Sequence, residues 1–215
     1  MKNQYTTFYI VRHGQTEWNV KGLMQGQKDS ILTMVGEEQA KNVAEELKPI
    51  QFDAAFSSDL VRAKRTAEII ALDDKLAVQT TQLLRERAFG KLEGQPYEAI
   101  RSYEQFYLAL SDREKLSYRV DENSESDEEV VTRMIRFIRE TAVIYPGKTV
   151  LVVSHGDIMH KFLIHLGYAT HENLPVWGLG NTCYIKIETD GTDFFVKETK
   201  RITFHENWMN ASSAD

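Results

Sequence analysis

Cysteine is nearly missing from this chain: Cys183 is the only one. It cannot close an intrachain disulfide, and a lone thiol fits a reducing, cytoplasmic setting. Long apolar runs are missing too. No stretch reaches the roughly eighteen residues a membrane span needs, and Met1 to Thr7 is too short and polar for a signal peptide. Nor is there a basic excess, since 26 Lys and Arg stand against 32 Asp and Glu, a formal net charge of −6. That balance argues against a general nucleic-acid or membrane-surface binder. Positive charge intended for an anionic ligand must therefore be local. GxxxxGKS/T, a helix-opening GxGxxG and HExxH are all absent. His155, His160 and His165 are spaced by five, which rotates them around a helix, so the trio is not read as a metal site. Neither a metal nor a cofactor is expected.

What is present reads as a folded α/β chain. Hydrophobic residues make up 42% and charged residues 27% of 215, ordinary for a globular protein with a sizeable core. Residues 7–11 form an aromatic and β-branched run that suits a buried strand. Residues 36–47 carry Ala40, Val43, Ala44 and Leu47 at helical spacing before Pro49. Residues 52–58 read as strand and turn, followed by a helix that Asp59 could cap. A short strand at 77–80, a helix at 96–110 and an acidic loop at 121–129 come next. A long helix at 130–145 stops at Pro146-Gly147. Residues 149–156 give the clearest strand, 158–166 a helix, and two final runs around Asp190-Gly191 a hairpin. Alternation of strand and helix implies a three-layer α/β/α sandwich with a mostly parallel sheet. Residues 1–205 read as one domain and 206–215 as a disordered tail.

Two strands end alike. "YIVRHG" and "LVVSHG" each place a His-Gly pair after a β-run, at the sheet edge where open α/β folds bind ligands. Neighbouring parallel strands would bring His13 and His155 together, one neutral and nucleophilic, the other protonated or donating a hydrogen bond. Arg12 adds a permanent charge, and Arg62 stands in the first turn of the helix after residue 58. Two arginines, two histidines and nearby helix N-termini make a phosphate cradle.

These residues carry a family resemblance. "RHGQTEWN", Leu32 to Ala40, "FSSDLVRAKRTA", "LRERAFGKLEG" and "VVSHGD" follow the order and spacing of the histidine phosphatase superfamily, which includes phosphoglycerate mutases and many phosphomonoesterases. The resemblance runs from about Phe8 to the final hairpin. It implies phosphoryl transfer through a phosphohistidine on His13, with Arg12, Arg62 and His155 holding the nonbridging oxygens. It assigns Glu86 as proton donor, where the bland alternative is a surface ion pair with Arg85 or Arg87. It places Thr16, Asn19, Gln25, Gly26 and Gly156 around the phosphate or substrate. "MQGQ" and "LRERAFG" also resemble the fructose-bisphosphatase-like branch.

The chain departs from the family pattern at several positions. Gln15 and Arg65 replace frequent Glu and Gln and are expected at the pocket edge. Asp157 either favours a protonated His155 or caps the following helix, the role an Asp at a helix start more often takes. His160 reaches the pocket or only the helix surface. "NSES" replaces "GGES", and Ser126 with Glu129 forms a capping box. Tyr103, Phe106 and Tyr107 read as a packing face or as the mouth of a pocket, and Cys183 as core.

The favoured reading is a phosphomonoester hydrolase for a small phosphorylated metabolite, with sugar bisphosphates first in line. A phosphoglycerate mutase is the runner-up, disfavoured because residues 101–119 lack paired arginines and proline. A noncatalytic phosphometabolite-binding module is the third reading. Its weakness is that His13, Glu86 and His155 are all present. The sequence leaves the oligomeric state open.

Overall fold

The apolar run after Thr6 becomes β1 (Thr6–Arg12), a central strand whose Phe8, Ile10 and Val11 are wholly buried. The computed structural model describes residues 4–72, 75–175 and 177–205, and the tail expected at 206–215 lies outside them. After β1 come α1 (Glu17–Lys21), α2 (Met34–Leu47), β2 (Ala54–Ser58), α3 (Val61–Ile70) and β3 (Val78–Thr81). The second half holds α4 (Tyr97–Ala109), α5 (Asp112–Ser117), α6 (Asp127–Ile144), β4 (Thr149–Ser154), α7 (Gly156–His165), β5 (Leu179–Thr189) and β6 (Phe194–Ile202).

The six strands lie in the order β3-β2-β4-β1-β5-β6. The first four run parallel, and β5 and β6 close one edge as an antiparallel hairpin. Side-chain alternation along the strands builds three layers. Phe8, Ile10, Val150 and Val152 point to one face, where Met134 and Ile138 of α6 and Phe162 of α7 cover them. Tyr9, Val11, Leu151 and Val153 point to the other, against Val43 of α2 and Ala63 and Ala67 of α3. The α/β/α sandwich and terminal hairpin read from the sequence are therefore present. No described helix is long and apolar enough to cross a membrane.

Local chemistry explains where boundaries differ from the reading. Ser126 and Glu129 do form a reciprocal capping box, and α6 starts at Asp127, three residues before the predicted start. The first turn is thus recruited from the acidic loop by its cap. Helices α1 and α5 were not anticipated, although each opens on a capping box, Thr16 with Asn19 and Ser111 with Glu114. Asp59 does not cap α3. Leu60 holds that position without a side-chain bond, while Asp59 pairs with Arg85 through two hydrogen bonds of 2.6 and 2.7 Å. An ion pair of fork geometry outcompetes a capping bond here.

Candidate active site

Strand register decides what meets at the sheet edge. Arg12 lies opposite Ser154 in the parallel β1–β4 pair, and the His13 amide donates to the Ser154 carbonyl at 3.1 Å. The next residues, His13 and His155, consequently emerge side by side, with ring centroids 5.2 Å apart. Both rings are buried. The His13 Nδ1 lies 2.7 Å from the Gly14 carbonyl oxygen. A carbonyl only accepts, so Nδ1 carries the proton and Nε2 keeps its lone pair. Burial, with Arg62 and Arg12 adding repulsion, holds the His13 pKa well below 6.5, and the ring is neutral. Burial and Arg62 do the same to His155.

Two guanidiniums flank the imidazoles. Arg62, in the first turn of α3, is fully buried and donates to the carbonyls of Gly26 and Lys28 at 2.7 and 2.8 Å. Burial lowers its pKa to about 10, which leaves it charged near neutrality. Arg12 donates to the Leu179 carbonyl. The Nε atoms of both arginines and both ring nitrogens of His155 have no hydrogen-bond partner within the protein. Buried polar groups are normally paired, so this constellation is built to be completed by an anion. Gly156 permits the arrangement, because a Cβ there would lie 3.1 Å from the Arg12 Nε.

Glu86 follows a short turn of helix and reaches the start of α7. Its carboxylate accepts from the amides of Arg87 at 2.9 Å, Asp157 at 3.1 Å and Ile158 at 3.2 Å. Burial, then the neighbouring Asp157 carboxylate, raises its pKa despite those bonds. The surface ion pair considered for Glu86 does not form, since Arg85 binds Asp59 and Arg87 binds Asp127 and Asp157. Asp157 does not cap α7 either. His155 stands at the cap position, and the Asp157 carboxylate faces Arg87 at 3.6 Å. Burial works to raise the Asp157 pKa, but Arg87 and Lys161 hold it below the usual carboxylate value. In this pair Glu86 is the carboxyl that takes the proton.

Arg12, His13, Arg62, Glu86, Gly156, Asn19, Gln25 and Gly26 all line one cavity. His155 is not in its lining but packs its ring against that of His13. Thr16 is buried behind the lining, where it caps α1 and donates to Gln25 Oε1 at 3.0 Å. Gln15 and Arg65 are not at the edge as expected. Gln15 accepts from Thr33, and Arg65 pairs with Glu37. His160 reaches neither the pocket nor the surface: it is buried, with Nε2 3.0 Å from the Leu174 carbonyl oxygen. Cys183 is core, as read. Of the aromatic trio, Tyr103 and Tyr107 line the cavity, while Phe106 is 56% exposed. Among the described residues, no group of three or more His, Cys, Asp or Glu is placed to hold a metal ion.

The sequence reading missed several partners. Asn181 donates to the His13 carbonyl at 3.1 Å, and Thr66 accepts from the Gly14 amide at 3.1 Å. Both fix the loop that carries His13 from positions far along the chain. Arg87, Asp127, Lys161 and Tyr107 form a buried cluster, of which Arg87, Lys161 and Tyr107 line the cavity. No local spacing signals it. Tyr97 and Trp177 pack 4.5 Å apart at the rim, 80 positions apart in the chain.

The whole arrangement has known counterparts. The family model of the histidine phosphatase superfamily (branch 1) matches residues 8–201. The protein named "Uncharacterized phosphatase PhoE" of Bacillus subtilis is 33% identical over 183 residues, covering 85% of this chain and 88% of that one. "Probable phosphoglycerate mutase GpmB" of Escherichia coli is 35% identical over 169 residues, covering 79% and 76%. The structure of phosphoserine phosphatase with 3-phosphoglyceric acid from Entamoeba histolytica superposes with a TM-score of 0.76 at 27% identity, covering 91% and 96%. The likeness to the fructose-bisphosphatase-like branch remains a resemblance of two short motifs. Family match, sequence identity and overall superposition agree, and the chain belongs to the histidine phosphatase superfamily, as a phosphatase or mutase enzyme.

Proposed function

We propose that this chain is a phosphomonoester hydrolase for a small phosphorylated metabolite, working through a phosphohistidine on His13. The observation that carries the reading is the neutral His13 with Nδ1 tied to Gly14, beside Arg12, Arg62 and an unpartnered His155. The Nε2 lone pair attacks phosphorus in line with the ester oxygen, and the P–O bond breaks as the N–P bond forms. Arg12, Arg62 and His155 hold the nonbridging oxygens and neutralise charge spreading onto them. Glu86, whose pKa burial and Asp157 raise, gives a proton to the departing alkoxide. Water then attacks phosphorus, Glu86 takes a proton back, and the N–P bond breaks to release phosphate. Asn19, Gln25, Gly26 and Gly156 shape the binding floor, and Thr16 supports it from behind. Protein cations supply the positive charge, so activity is expected to survive chelators; loss in EDTA with recovery on adding one divalent ion would contradict this.

Similarity to GpmB favours a second reading, a phosphoglycerate mutase with the same phosphoenzyme. A mutase must retain its product and grip the carboxylate. The lining cations outside the cradle, Arg87 and Lys161, are already paired with carboxylates, which supports hydrolysis. The test is to mix the enzyme with a radiolabelled phosphomonoester and map the label. Acid-labile label on His13, absent in His13→Ala, with phosphate released to water is the expected result. Label on another residue overturns the assignment, and binding without label or release means a noncatalytic module.

A further inference from the structure

The cavity changes character along its length. Beyond the phosphate cradle its wall is aromatic and aliphatic, built from Phe89, Leu92, Tyr97, Tyr103 and Trp177. Of the cations lining the cavity, only Arg87 and Lys161 lie outside the cradle. Both are spoken for. Asp127, buried at the first position of α6, binds the Arg87 guanidinium through one oxygen. Its other oxygen accepts from the Tyr107 hydroxyl at 2.5 Å and lies 3.5 Å from the Lys161 ammonium. Lys161 donates to the same hydroxyl at 2.8 Å, and Asp157 faces Arg87 at 3.6 Å. Two cations thus meet two carboxylates, and all four side chains are largely buried. Each positive charge that an anionic group on the substrate would seek is cancelled in place. Buried Lys115, 6.0 Å from the Tyr107 ring centroid, pairs with Asp112 at 3.5 Å, and Lys91 is exposed, 5.2 Å from the Tyr103 ring centroid, where solvent screens it.

We infer that the cavity selects phosphomonoesters of uncharged, apolar or aromatic alcohols, and that Asp127 is the residue that rejects a second anion. The inference rests on the hydrolase reading and narrows it. Bringing a carboxylate or second phosphate against the apolar wall strips its water and returns no free charge partner. An aryl or alkyl group instead buries its surface against the rings. Sugar bisphosphates, first in line from the sequence, fall to the back on this argument.

Matched substrates test it: para-ethylphenyl phosphate and para-(carboxymethyl)phenyl phosphate, nearly equal in shape and leaving phenol. For the wild type, kcat/KM is expected to favour the ethyl compound by about tenfold or more, the scale of one uncompensated charge near a buried site. Asp127→Asn leaves one positive charge uncancelled and is expected to bring that ratio down to within about threefold of unity. Lys161→Met leaves one negative charge uncancelled and is expected to raise it. Shifts of opposite sign distinguish charge from damage, because misfolding would move both variants the same way. A wild-type ratio near unity, or one favouring the carboxylate, overturns the inference even if neither variant folds. If the wild type hydrolyses neither compound nor any other aryl phosphate, the hydrolase reading is what fails.

Discussion

At the scale of single residues, the site depends on which groups hold a proton. His13 and His155 are neutral because burial and two guanidiniums disfavour a third charge. Glu86 is pushed the other way by burial and Asp157. An acid that must be protonated makes kcat/KM for an alkyl phosphate fall as pH rises past its pKa. Asp157→Asn removes the repelling charge, so Glu86 should ionise more easily and that alkaline limb should move to lower pH. A limb that stays in place would uncouple Asp157 from the acid. Glu86→Gln is expected to slow the phosphoryl-transfer step of an alkyl phosphate by about 10²–10⁴-fold. An activated aryl phosphate should lose far less in that step, read as the burst of released phenol. Equal losses would make Glu86 a structural group.

At the scale of elements, two close approaches shape the edge that carries His13 and His155. The loop after β1 packs against the start of α2 so tightly that a Cβ on Gly36 would lie 2.0 Å from the Gln15 carbonyl oxygen. Backbone cannot yield as a side chain can. Gly36→Ala is expected to destabilise the fold by about 2 kcal/mol or more, seen as a lower urea midpoint. Gly156 differs, since its Cβ would meet the guanidinium of Arg12 at 3.1 Å. Gly156→Ala should therefore displace the phosphate ligand while leaving the midpoint near the wild-type value. The expected signature is a raised KM, by about tenfold for loss of one well-placed charge contact. A change in stability with KM intact would contradict it.

Across the whole molecule, the same buried imidazoles tie stability to pH. His13, His155 and His160 all have lowered pKa values, His160 down to about 4, against 6.5 for the free side chain. Below pH 6.5 the unfolded chain takes up protons that the folded chain refuses, so unfolding gains as acid is added. Each such histidine contributes a slope of about 1.4 kcal/mol per pH unit in that window. Glu86, with its raised pKa, opposes this in part, because its folded form binds the proton more readily. With His171, also lowered to about 4, four imidazoles outweigh one carboxyl. The urea midpoint is expected to be flat above about pH 7.5 and clearly lower by about pH 5. A midpoint that holds or rises on acidification would mean these rings are charged in the fold.

Sequence alone determined the parts of this protein that local patterning encodes. Period-two and period-3.6 hydrophobicity gave the central strands and the main helices, and paired His-Gly motifs after two strands marked the edge where the two imidazoles meet, because strand ends in a parallel sheet face one way. Capping boxes at Ser111 and Thr16 were equally legible, and α1 and α5 were overlooked only because they are short. Tertiary structure decided what depends on competition between distant partners. Whether Asp59 caps a helix or binds Arg85 turns on a residue 26 positions away. Asp157 found Arg87 instead of a capping bond, and His160 found the Leu174 carbonyl instead of the pocket or solvent. The cluster of Arg87, Asp127 and Lys161 draws on three separate elements. A buried charge must find a partner wherever the fold brings one, and that choice is made in space, not along the chain.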